Sequence, residues 1–162
     1  MNRRSTLVLT GITLMGFAIA ALPSVGFAQS VLPSGLWQLN VAKSKYSPGP
    51  PPKSTTVNIQ GEGQNRKATL VGINAAGNPF VAVFPDVLDG QPHPVTGNPN
   101  FDATADTRVD DHTFNFSRIK AGKVVASGTA AVSQDGKTTT FTTTGTDANG
   151  QQFNNITVFE KQ

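Results

Sequence analysis

The chain has 162 residues, with 13 Lys and Arg against 10 Asp and Glu, two His and no Cys. Without cysteine there are no disulfides and no thiolate metal ligands, so stability has to come from packing and backbone hydrogen bonds. After residue 28 the close basic residues come in pairs such as Lys43/Lys45 and Arg66/Lys67, which argues against the multi-phosphate footprint of a nucleic-acid binder.

Residues 1–28 have the pattern of a cleaved export signal. Arg3 and Arg4 precede a mostly apolar run over 7–21, and Gly26-Phe27-Ala28 offers a small-x-small cleavage site. The run is too short and too interrupted by Gly and Thr for a membrane span. The reading is a leader at 1–28 and one domain at 29–162, periplasmic or secreted, with no membrane span in the mature chain. The Arg pair before Ser5-Thr6-Leu7 leaves general secretion and twin-arginine export both open. Removing Arg3 and Arg4 leaves 11 basic residues against 10 acidic ones, so the basic pI is partly a leader effect. The remaining 134 residues are enough for one core and too few for two.

Past residue 30 the composition favours Thr, Val, Asn, Gly and Phe, and no stretch repeats apolar residues at helical spacing. Strands are predicted at 36–41, 54–60, 66–74, 79–85, 103–109, 112–120, 123–133, 137–145 and 151–161, about nine in all. Turn signals separate most of them, among them Ala75-Ala76-Gly77-Asn78, Asp110-Asp111, Ala121-Gly122 and Gln134-Asp135-Gly136. The clearest alternation puts Val124, Ala126, Gly128, Ala130 and Val132 on one narrow face, beside a strand carrying Phe114 and Phe116. Consecutive hairpins with one apolar face predict an all-β, up-and-down antiparallel meander of eight or nine strands closing into a barrel, which removes exposed edges. A two-sheet sandwich is the alternative.

Four prolines within 48–52 require an extended, stiff crossover after the first strand. Residues 86–101 form the longest stretch without a strand pattern, either a binding loop or a plug at one barrel end. The Thr-rich run 138–144 reads as a solvated face or an edge through which copies pair. In the last strand Ile156 and Val158 oppose Phe153 and Phe159, which implies burial on both sides or a bulge.

Gly35-Leu36-Trp37 at the head of the first strand resembles the Gly-x-Trp signature of lipocalins and other calycins. That resemblance implies a barrel that binds small apolar molecules, with the Trp closing one end and a late basic residue, here Lys161, packing over it. The run 35–40 with 43–50, Pro94-Val95-Thr96-Gly97-Asn98-Pro99 and residues 133–138 is similar to a group of exported bacterial proteins with no assigned activity. It implies a bacterial envelope setting.

No nucleophile elbow, Ser/His/Asp set, phosphate-cradling loop or paired Glu is present, so no catalytic residue is assigned and a non-enzymatic protein is expected. His93, His112, Asp86, Asp89 and Asp102 lack ligand spacing, and Asp147-Ala148-Asn149-Gly150 lacks the distant Glu of a calcium loop, so no metal or cofactor is expected. Asp102/Asp106 and Asp110/Asp111 are explained by turn preference and solvation. The binding candidates are Phe80, Phe84, Phe114 and Phe116 as barrel-wall rings, Arg108 or Arg118 to meet a carboxylate at the rim, and His93 in the long loop. The expected function is binding of a small apolar or amphipathic ligand. The competing reading is an envelope protein-protein interaction or structural module acting through 86–101.

Overall fold

Period-two alternation puts one side of every strand against a common interior, and the strand order follows from the hairpin turns. The computed structural model describes residues 30–162; the expected leader lies outside them. Ten strands form one antiparallel sheet: β1 Gly35–Leu39, β2 Ser54–Gln60, β3 Lys67–Ile73, β4 Pro79–Pro85, β5 His93–Pro94, β6 Ala103–Arg108, β7 Thr113–Lys120, β8 Lys123–Val132, β9 Thr138–Thr146 and β10 Gln152–Lys161. Their order is β4-β3-β2-β1-β10-β9-β8-β7-β6-β5, a meander with the first and last strands paired. The result is a nearly closed barrel, not a two-sheet sandwich, with a single seam between β4 and β5. Among the described residues no helix is long and apolar enough to cross a membrane.

The tenth strand comes from the stretch expected to lack one. Residues 89–94 run beside β6, with Asp89 opposite Thr107 and His93 opposite Thr104. Pro92 and Pro94 suit an edge position, where the missing N–H breaks no ladder. Just beyond, the Val83 and Thr96 amides each donate to the other's carbonyl at 2.9 and 3.1 Å, the bridge that ties the seam. Gly97 follows at φ +76°, and a Cβ there would meet the Val81 carbonyl at 2.0 Å, so the chain can turn this close to β4 only with glycine. Segment 86–101 is thus the seam of the barrel, and its Val87, Leu88 and Val95 are buried.

Two other expectations are corrected and a third is resolved. A bulge between Arg118 and Ile119 leaves Val125 extra, pairing Arg118 with Ala126 and Ile119 with Val124. Val124 therefore leaves the inner face and is 62% exposed. The Thr-rich strand β9 pairs with both β8 and β10 and is no edge. In β10 there is burial on both sides and no bulge in the β9–β10 ladder: Phe159 packs against the core and Val158 is buried on the opposite face. There the Asn40 N–H still donates to the Val158 carbonyl, residues 41–44 loop out, the Val158 N–H donates to Ser44 Oγ, and Lys45 rejoins opposite Ile156.

The core gathers Trp37, Val57, Ile59, Phe114, Phe116, Ala130 and Val132, with Phe141 and Phe159 packed against it. Phe114, Phe116 and Phe141 meet at centroid distances of 6.1 to 6.4 Å, in tilted and edge-on geometries. Gly128 makes room for them, because a Cβ there would lie 2.0 Å from the Thr142 carbonyl oxygen and 2.6 Å from Phe116 Cζ. Gly128→Ala is expected to lower stability by about 1–3 kcal/mol through overpacking, read as a lower denaturant midpoint.

Candidate functional site

The barrel encloses a cavity of about 700 Å³, within the range of small-molecule sites. Phe80, Phe84, Phe114, Phe116 and Arg118 all line it, together with Trp37 and Phe141. The inner faces of β4 and β7 bring these rings together as their alternation requires. Arg108 and His93 are not among the lining residues. Arg108 is at the β6–β7 turn, where Nε donates to the Asp110 carbonyl at 3.1 Å and Nη2 meets Asp111 at 2.6 Å. His93 Nε2 lies 2.9 Å from Asp89 Oδ1, and the Gln91 N–H on that carboxylate is the main reason that Asp89 titrates below its ordinary range. His112 does not line the cavity either, and among the described residues no group of three or more acidic or His side chains is placed to hold a metal ion.

One end of the cavity is closed by the chain before β1. Leu32 and Trp37 line that end, and Val31, Leu32, Trp37 and Leu88 belong to the buried core. The strap is fixed by polar contacts. Trp37 Nε1 donates to the Pro33 carbonyl at 3.1 Å, and Ser30 Oγ donates to Asp86 Oδ1 at 2.7 Å. Arg66 Nε donates to Asp86 Oδ2 at 2.6 Å, while its Nη1 and Nη2 reach Ser34 Oγ and the Leu32 carbonyl. Lys161 is the cross-strand partner of Trp37, and its Cε passes over Gly35. The other end is rimmed by exposed residues that line the cavity, among them Pro48 and Pro50 of the stiff crossover, Asn100, and Asp147 and Gln151 of the β9–β10 hairpin.

A buried polar cluster interrupts the apolar wall. Arg118 Nη1 donates to Asp106 Oδ1 at 2.9 Å and to Thr104 Oγ1, and Thr104 Oγ1 also contacts Asp106 Oδ1. The guanidinium lies 4.3 Å from the Phe116 ring centroid, 5.5 Å from Phe84 and 5.6 Å from Phe101, so cation–π attraction also holds it in place. Burial pushes the Asp106 carboxyl above its usual range; Arg118 and Thr104 oppose that shift, and the Asp86 charge adds to it. Burial lowers the Arg118 pKa, with Asp106 opposing. Nearer the rim, burial raises the Tyr46 phenol, which Thr157 contacts at 3.4 Å. Thr139 also lines the cavity, and its buried hydroxyl has no hydrogen-bond partner among the described residues.

Asp106 lines the cavity and is buried, where the sequence alone explained it by turn preference and solvation. The register could have found it: β6 and β7 pair Thr104 with Arg118 and Asp106 with Phe116 across the 109–112 turn, which puts the carboxylate on the ring-bearing inner face. Nothing in the periodicity marks the 30–34 strap, whose polar partners Arg66 and Asp86 lie 32 to 56 residues away in sequence. No protein-family model matches the chain, and no curated protein is significantly similar to it.

Proposed function

We propose that this chain is an exported, lipocalin-like carrier that holds a small apolar or amphipathic molecule inside the barrel and performs no chemistry on it. The observation that carries this reading is the cavity of about 700 Å³, walled mainly by aromatic and aliphatic side chains and plugged at one end by the strap and Trp37. Burial of an apolar ligand would contribute roughly 25 cal/mol for each Å² removed from water. The position of Trp37 at the closed end, with Lys161 as its strand partner, agrees with what the Gly-x-Trp resemblance implies.

Native mass spectrometry of the protein, gently isolated from its own cells, tests the reading. The expected result is a stoichiometric passenger that organic solvent extracts. A clean ligand-free mass, together with no uptake of the neutral dye Nile red, would overturn it. That outcome favours an envelope interaction module acting through 86–101 or through the outer face of β3 and β4. On that face Val71 and Val81 are cross-strand partners, 51% and 56% exposed.

A further inference from the structure

We propose that the cavity selects a neutral headgroup: an apolar molecule ending in an amide or alcohol binds, and one ending in a carboxylate is disfavoured. The inference rests on the carrier reading above and names the ligand class of that same site.

The buried charges at the cavity wall are already matched; at the exposed rim Lys120 Nζ stands 3.9 Å from Asp102 Oδ2, and Asp147 Oδ1 accepts the Asn149 and Gln151 N–H groups. Asp106 faces Arg118, and Asp86 faces Arg66; all four side chains are at most 13% exposed. A carboxylate drawn to Arg118 would meet the Asp106 carboxylate that the same guanidinium already serves, with Asp86 close enough to add to the repulsion. Two like charges would share one low-dielectric site served by a single cation, so the acid gains no net charge attraction for the hydration it gives up. A cationic headgroup faces the converse problem at Arg118.

The hydrogen-bonding capacity left over suits a neutral group. Nη1 of Arg118 serves Asp106 and Thr104, and no described residue accepts from its Nε or Nη2. Oδ2 of Asp106 has no hydrogen-bond partner among the described residues either; the contacts run to Oδ1. The pair therefore offers donors and an acceptor side by side, and an amide or alcohol that both accepts and donates can use both. Phe84, Phe101 and Phe116 around the guanidinium oppose any movement of Arg118 away from Asp106 to follow an anion.

The test is displacement of bound Nile red from the isolated protein at about pH 8 by dodecanamide, dodecanol, dodecanoate and dodecane, which share one tail. The amide and alcohol are expected to bind at least about tenfold more tightly than dodecanoate, roughly 1.4 kcal/mol, and dodecane is expected to fall below the alcohol. Asp106→Asn removes the negative member of the pair and is expected to reverse the order in favour of dodecanoate. The ranking in the unaltered protein stands by itself if that variant does not fold. Dodecanoate binding as tightly as the amide, with Nile red bound, overturns the headgroup inference alone. Failure of Nile red and of every ligand to bind overturns the carrier reading and this inference with it.

Discussion

Truncating Arg118 to alanine is expected to destabilise the barrel by about 3–5 kcal/mol, because it leaves the Asp106 carboxylate buried without its cation. The guanidinium also fills space among Phe84, Phe101 and Phe116, so packing is lost along with charge. Thr104 keeps its longer contact with the Ser117 carbonyl, which confines the damage to the carboxylate and the rings. Asp106 already titrates above its ordinary range in the folded protein. The native state therefore holds that proton more tightly than the unfolded chain, and stability falls as pH rises from the ordinary carboxylate range through the raised value. Losing Arg118 removes the main influence opposing the shift and widens that window. The deficit of the variant is thus expected to be largest near neutrality and to shrink in acid. Denaturant midpoints across pH read this directly, with the slope unchanged. Replacing both partners by apolar residues, as in Arg118→Met with Asp106→Leu, is expected to recover most of the loss. A double variant no more stable than the single one would show that the hydrogen bonds and ring contacts matter more than the unpaired charge.

The parts of this architecture legible in the sequence are those governed by local alternation. Residues 54–60 and 79–85 form strands with the expected bounds, and the other expected strands differ only by a residue or two at their ends. The rings at 80, 84, 114 and 116 face the cavity because period two leaves them no other side. What was missed depends on partners distant in the chain. Pro92, Pro94 and Gly97 look like loop residues until β6 and β4 are seen beside them, where an edge strand tolerates proline and a close approach requires glycine. Val124 alternates correctly in isolation, and only the extra residue against β7 turns it outward. Arg108 and Arg118 are equally plausible cations on one strand hairpin. The turn engages the first through Asp110 and Asp111, while Asp106 and three rings hold the second inside. A sequence read alone placed Asp106 in water, since an acidic residue is normally explained most simply by solvation.

Trp37→Ala is expected to cost about 3–5 kcal/mol, the usual range when a large buried aromatic is truncated and its cavity only partly collapses. Trp37 is 2% exposed, belongs to the main core cluster and anchors the strap by donating to the Pro33 carbonyl. Its loss would remove one wall of the closed end and the contact that fixes 30–34, leaving Arg66, Asp86 and Ser30 to hold the strap by polar contacts. Amide exchange is therefore expected to accelerate at Leu32, whose N–H donates to Ser30 Oγ, more than in β8 and β9, which are paired on both sides. Trp37→Phe separates the two roles of the residue. It keeps most of the buried ring area and removes the hydrogen bond, so a smaller loss of about 1–2 kcal/mol is expected. If phenylalanine costs as much as alanine, the strap is held by the indole N–H and not by ring burial. If exchange at Leu32 is unchanged in both variants, the Arg66–Asp86 clasp closes the barrel without the tryptophan.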